Sequence, residues 1–387
     1  MNLGQSVFAQ LLQFVPQRHF EYLVGKHDAN YRNHTCSAWS QFVCMAYAQL
    51  THRHGLRDVA ACINSQHSQL YHCGLRHKVS RSTLADANER RDWHLFEQLA
   101  QRMVQSALAL YAHDRPHSLL AQPLYAMDST VVDLCLKLFP WAHYRSTKAA
   151  IKAHTVLDLH GAIPVMMTIT AGNIADVKLL DALQLPEYSL VVLDRGYIDY
   201  ARLYALTQRK CSFVVRAKSN LQFGCVHAFD FDRRQGLCSD QVIEFSSDKA
   251  RRDYPKVLRR VRYIDAPTCV EYVYLSDRFD LDALSIVQIY RQRWQIELFF
   301  KWLKQNLNIR HFFGNSENAV KSQLWIAVCV YLAALMAHKT LRIPLSLHTL
   351  LQIVQVNLLD KTPIARLAAQ AIEPIPEPVD SIQKTLF

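Results

Sequence analysis

Three carboxylates define the chemical question in this chain. Asp128 closes the apolar run LYAMD and Asp194 closes LVVLD, so each would stand at the rim of a buried sheet. Open α/β sheets hold their ligands and metals at such rims. An aspartate there also serves as a turn former, and Asp194 before Arg195-Gly196 suits that role. The third acid is Glu297, in the stretch IYRQRWQIELFFKWLKQNL (289–307), which is otherwise crowded with bases and aromatics. Between residues 195 and 310 the other glutamates are Glu244 and Glu271, and both fall in a β-rich segment. Carboxylates select hard cations, and Mg²⁺ takes one or two of them per ion while keeping most of its water. Two such ions about 3.5–4 Å apart can clamp the attacking and leaving oxygens of a phosphodiester.

Helical spacing organises the neighbours of Glu297. Tyr290, Arg293, Glu297, Lys301 and Lys304 line one face of a helix, while Ile296, Phe299, Phe300, Leu303 and Leu307 line the adjoining face. One reading of the polar stripe is a solvated ladder, Arg293 to Glu297 to Lys301, with each pair contributing only a few tenths of a kcal/mol. The other is a grip on phosphate beside a metal-holding glutamate, with Tyr290 donating a hydrogen bond. Trp294, Phe299, Phe300 and Trp302 read as core in preference to a base-stacking platform.

Other chemistries find little support. The chain has no Gly-x-Ser-x-Gly elbow, no Gly-x-x-x-x-Gly-Lys loop and no His-Glu-x-x-His. His67, His72, Cys73 and His77 lack the paired Cys-x-x-Cys spacing of a zinc site.

The elements that would position the acids fall into distinct textures. Residues 1–118 read as a helical domain, with helical patterns in 37–53 and 88–113. The opening residues read as an amphipathic helix ending near Pro16, without the layout of a signal peptide. Between the longer helices, a short helix at 57–64, a turn at Gly74 and a helix starting after Ser80 or Ser82 resemble a helix-turn-helix. Arg81, Ser82 and Thr83 would then meet DNA. An ordinary helical hairpin fits the same residues.

From 119 to 340 the reading is an α/β unit, a mixed sheet of α+β character with helices packed on it. Strands are expected at 124–132, 151–159, 162–170, 189–196 and 211–218, with helical patterns at 175–184 and 198–209. Residues 222–277 read as a β-rich insertion, whose run KARRDYPKVLRRVR (249–262) suits either a phosphate backbone or a solvated strand. Helices return from about 282 to 340, and the C-terminal 341–387 reads as a helical segment ending in a loose, Pro-rich tail.

Composition narrows the partners. Lys and Arg outnumber Asp and Glu by 44 to 33, a net charge of +11 that favours a polyanion. The ten cysteines contain no Cys-x-x-Cys pair, which fits a reduced, cytoplasmic compartment. The apolar run LWIAVCVYLAALMA (324–337) is short of the roughly 20 residues that span a bilayer, so it reads as a buried helix and no membrane partner is expected.

The spacing Tyr290-x-x-Arg293-x-x-x-Glu297-x-x-x-x-x-x-Lys304 matches at all four positions the Tyr-Arg-Glu-Lys signature of bacterial DDE transposases, in the family named after insertion sequence four. MDST (127–130) and LDRGY (193–197) resemble the blocks around that family's two catalytic aspartates, and the similarity extends over roughly residues 1–340. The resemblance implies a ribonuclease-H-like core with a β-rich insertion, and Mg²⁺ or Mn²⁺, two ions, held by Asp128, Asp194 and Glu297. It implies phosphate contacts from Tyr290, Arg293 and Lys304; Lys301 joins them on helix geometry alone. It further implies a nucleoid-associated bacterial enzyme, dimeric in its synaptic complex, that cuts double-stranded DNA at terminal inverted repeats and joins the ends to target DNA. Two other functions stay open at this point: a nuclease that cleaves without joining, and a non-catalytic DNA-binding regulator.

Overall fold

The computed structural model describes residues 4–31, 35–112, 122–145, 148–306 and 311–372. The Pro-rich end read as a tail (373–387) lies outside the described residues.

Among the described residues ten strands form one mixed sheet: β1 (Leu124–Leu134), β2 (His143–Arg145), β3 (Lys148–Asp158), β4 (Ile163–Ala171), β5 (Leu190–Leu193), β6 (Ser212–Arg216), β7 (Phe223–Ala228), β8 (Leu237–Phe245), β9 (Leu258–Asp265) and β10 (Val270–Ser276). β1 lies antiparallel to β3, which carries β4 on its other side and β2 at its start. β5 runs parallel to β1 and β6 parallel to β5. The β3–β4 hairpin turns where the sequence places His160-Gly161. There Asp158 Oδ1 accepts the main-chain N–H groups of His160 (3.0 Å) and Gly161 (3.2 Å). β5 reads LVVL with every residue buried, as expected for a parallel strand covered on both faces.

The segment 222–277 extends this sheet. β10 pairs antiparallel with β6, and β9, β8 and β7 follow outward. Its basic run divides into the helix Asp248–Asp253 and the start of β9. Arg259 is buried and forms a two-pronged pair with Asp240 (2.8 and 2.7 Å), so part of the charge is spent inside the fold.

Strand alternation sorts the two faces. Met127, Val191, Leu193, Phe213 and Val215 join Leu203 and Leu206 of the helix Tyr200–Gln208 on one side. Ala126, Val132, Leu190, Val192 and Val214 join the other, larger core, with Ile296, Phe299 and the helix Glu317–Thr340. That helix is long and apolar enough to cross a membrane, yet 94% of its apolar window is buried in the fold. It packs on the N-terminal helices Ala38–Leu50, Arg81–Arg90 and His94–Tyr111. The first helix also meets the segment 358–360: Val7 N–H donates to Asp360 O (2.7 Å) and Phe8 N–H to Leu358 O (2.8 Å).

Three helical expectations need correction. The pattern at 88–113 is two helices, because Arg91 turns inward to the carbonyls of Ala29 (2.8 Å) and Cys36 (2.9 Å) while Asp92 accepts the His94 N–H (3.0 Å) and starts the next helix. The stretch 289–307 is also two helices, Ala283–Arg291 and Trp294–Asn306. The pattern at 175–184 yields only the short turns Asp176–Lys178 and Leu179–Ala182, where the Asp176 side chain is drawn to the sheet.

Candidate active site

The register of β1 and β5 brings the two aspartates to one end of one face. Met127 pairs with Leu193, and both point into the smaller core. Successive strand residues alternate sides, so Asp128 and Asp194 emerge on the opposite face, where the helix Trp294–Asn306 lies against β1.

The break in the 289–307 stretch lets two adjacent turns serve different acids. Arg293 N–H bonds Tyr290 O (3.0 Å), Gln295 N–H bonds Gln292 O (3.0 Å) and Ile296 N–H bonds Arg293 O (3.1 Å), a tightened 3₁₀-type passage. On its N-terminal side, the Tyr290 hydroxyl donates to Asp194 Oδ1 (3.4 Å). On its C-terminal side, the Arg293 guanidinium lies between two acids, with Nη1 3.1 Å from Asp128 Oδ2 and Nη2 2.5 Å from Glu297 Oε1. Asp128 Oδ1 accepts the N–H of Ser129 (2.8 Å).

Burial governs the electrostatics. It pushes the Asp128 carboxyl up to about 6, against the Ser129 N–H and Arg293, and the nearby Asp194 and Glu297 add to the rise. It also pushes the Tyr290 phenol up to about 12, so Tyr290 is a hydrogen-bond donor at neutral pH. Burial alone would weaken the Arg293 cation, but Tyr290, Glu297 and Asp128 together hold it above its ordinary value.

A cleft of about 380 Å³ opens beside these groups, lined by Asp128, Ser129, Thr130, Glu297, Phe300, Lys301, Lys304 and Gln305. Lys301 is exposed and Lys304 half-buried. Asp194 is not among the residues lining this cleft and joins the cluster through Tyr290. Among the described residues, no group of three or more His, Cys, Asp or Glu stands close enough together to hold a metal ion as placed. The physical reason lies in the geometry above, since Arg293 occupies the space between Asp128 and Glu297 and supplies the positive charge there. The donor set itself, three carboxylates with one strongly desolvated, fits a hard divalent cation.

Arg81 and Ser82 lie elsewhere, exposed at the start of the helix Arg81–Arg90, where Ser80 Oγ accepts the Thr83 N–H (3.1 Å). They do not line the acid cleft. His67, His72, Cys73 and His77 form no metal-holding cluster. Phe299, Phe300 and Trp302 are buried, whereas Trp294 is 59% exposed.

Sequence reasoning missed a polar group behind the acids. Ser129 Oγ donates to Asp176 Oδ1 (2.8 Å), which also meets Lys152 Nζ (3.2 Å) and His154 Nδ1 (3.5 Å). A signal was present: Lys152 and His154 alternate with apolar neighbours in IKAHTVLDL, placing two polar groups on a face that a strand would bury.

Residues 120–333 match the family model described as a transposase DDE domain, and residues 3–76 match one described as a domain of unknown function (DUF4372). The chain is 30% identical over 246 residues to y4zB of Sinorhizobium fredii, a protein named as a transposase, covering 62% of this chain and 68% of that one. It is 29% identical over 211 residues to a protein of Geobacillus stearothermophilus named as a transposase for insertion sequence element IS5377, covering 54% and 55%. A Synechocystis protein named for insertion sequence element IS4SA is 25% identical over 259 residues, covering 66% and 70%.

Proposed function

Because the chain belongs to the transposase DDE domain family, we propose that it is a cut-and-paste transposase that binds transposon ends, cleaves DNA strands and joins the 3′-OH ends to target DNA. The observation that carries this reading is the cleft where Asp128 on β1 and Glu297, 169 residues later, flank Arg293 beside Lys301 and Lys304. The strand order β4-β3-β1-β5-β6, with a β1–β3–β4 meander followed by two parallel strands, supports a ribonuclease-H-like core. The Tyr290, Arg293, Glu297 and Lys304 spacing supports the Tyr-Arg-Glu-Lys subclass.

Asp128, Asp194 and Glu297 would hold Mg²⁺ or Mn²⁺, which when bound supplies Lewis-acid activation of the phosphodiester. The remaining roles belong to the chain itself. Lys301 and Lys304 draw the DNA backbone into the cleft, and Arg293, once released from the acids, presents a fork of donors to a phosphate. Tyr290 stays protonated near neutral pH and donates to Asp194 or to a phosphate oxygen. At each transposon end, water attacks phosphorus and a 3′-OH leaves; that 3′-OH then attacks target DNA and displaces another 3′-oxygen. Each step forms one P–O bond and breaks one. Transposon ends would be recruited with help from Arg81 and Ser82, and two copies would pair two ends as a dimer.

The test is strand cleavage and strand transfer in Mg²⁺ by Asp128→Asn, Asp194→Asn and Glu297→Gln. Each is expected to lose about a hundred- to a thousandfold in rate, the scale of a disabled electrostatic site. Near-wild-type activity of any one removes that residue from the site, and cleaved ends that never join to target would favour a nuclease.

A further inference from the structure

Asp176, Lys152 and His154 gather behind β1, away from the acid cleft, and the functional reading does not use them. Ser129 links the two. Its side chain reaches through to Asp176 (2.8 Å), while its main-chain N–H holds Asp128 Oδ1 (2.8 Å) and leaves Oδ2 for Arg293 (3.1 Å). Asp176 is itself anchored. Lys152 Nζ bridges its carboxylate (3.2 Å) and the Ile174 carbonyl (2.9 Å). His154, fully buried on the adjacent strand at the register position opposite Ser129, lies 3.5 Å from the same oxygen. Lys152 is almost fully covered, at 12% side-chain exposure, so its charge is committed to this contact.

A carboxylate, a lysine and a histidine collected under one strand residue are costly to bury unless each is partnered. Here Lys152 and His154 converge on Asp176, and Asp176 in turn accepts from Ser129, the residue that follows Asp128. We propose that Asp176, held by Lys152, is a positioning residue that fixes the Asp128 carboxylate through Ser129. This rests on the reading of Asp128 as a metal-holding group. Residues that orient a ligating carboxylate without touching the ion govern affinity by fixing which oxygen is free.

The experiment measures Mn²⁺ binding to the full chain by electron paramagnetic resonance, alongside thermal unfolding of each variant. Asp176→Ala and Ser129→Ala are each expected to weaken Mn²⁺ binding by roughly tenfold. The double variant should be no weaker than the worse single one, because both cut the same link. Asp176→Asn keeps an oxygen for the Ser129 hydroxyl and is expected to recover most of the affinity. A purely structural role predicts instead that affinity tracks unfolding temperature and that Asp176→Asn gives no rescue; that pattern overturns the proposal. Ser129→Ala removes one oxygen atom and guards against a failure of Asp176→Ala to fold. Wild-type affinity in a folded Ser129→Ala or Asp176→Ala, while Asp128→Asn is defective, overturns the positioning role alone. Wild-type affinity in Asp128→Asn overturns the metal reading and the proposal with it.

Discussion

Arg293 resolves the puzzle of an acid placed among bases. Glu297 pairs with Arg293 four residues earlier, as a helical ladder would have it, but Arg293 also reaches Asp128 on a strand 165 residues away in sequence. Its side chain is 14% exposed, and the contact with Asp128 links the helix to the sheet. Removing the guanidinium leaves two desolvated carboxylates facing each other, and the break of such a pair destabilises by several kcal/mol when fully buried. Partial exposure of Asp128 (23%) and Glu297 (34%) reduces this to about 1–3 kcal/mol. Arg293→Gln is therefore expected to unfold at lower temperature than wild type in EDTA, and to recover more of the difference when Mg²⁺ is added. Differential scanning fluorimetry of both proteins in the two buffers measures it. Equal unfolding temperatures in EDTA would mean that the pairing with Asp128 and Glu297 contributes no stability.

At the scale of the elements, β3 carries a titration that can be read from outside. His154 is buried, and burial chiefly lowers its imidazole to about 4, with Asp176 opposing and Lys152 assisting. Its other nitrogen, Nε2, lies 2.9 Å from Thr170 Oγ1, whose hydroxyl also reaches Ala171 O (3.1 Å). A folded value below the unfolded one means that the unfolded chain takes up the proton first, so this stability is present above about 6.5 and is lost as pH falls toward 4. The loss should approach about 2–3 kcal/mol, and His154→Gln should flatten it; urea midpoints at pH 7 and pH 5 compare the two. Much of the sheet was legible beforehand because strand-end acids, β-branched runs and the His160-Gly161 turn are local signals. The break at Gln292-Arg293 was not, since no proline or glycine marks it. It follows from Tyr290 meeting the acid just past β5 and Arg293 meeting the acid on β1, a fact of tertiary contact. The role of Asp176 was hidden for the same reason, its partners lying on β1 and β3.

At the scale of the whole molecule, the helix Glu317–Thr340 makes the N-terminal helices and the sheet interdependent. Every residue from Ser322 to Ala337 is buried, so over that span it offers no solvated face. Its cover comes from Ala38–Leu50 and His94–Tyr111, far earlier in the chain, and Gln49 Nε2 donates to Gln323 O at 2.8 Å within that contact. Each large apolar side chain stripped of such cover costs on the order of 1.5–3 kcal/mol, and several together exceed the usual stability of a domain. Residues 122–372 expressed alone are accordingly expected to aggregate or to bind a hydrophobic dye strongly. Supplying residues 1–112 from a second gene should restore a soluble complex of one fragment with the other, seen as a single peak in size-exclusion chromatography with light scattering. A monomeric 122–372 fragment that unfolds cooperatively would show instead that the sheet and the helix Glu317–Thr340 form a self-sufficient core. The N-terminal helices would then be free to act as a separate DNA-binding unit, and Arg81 and Ser82 could move relative to the acid cleft.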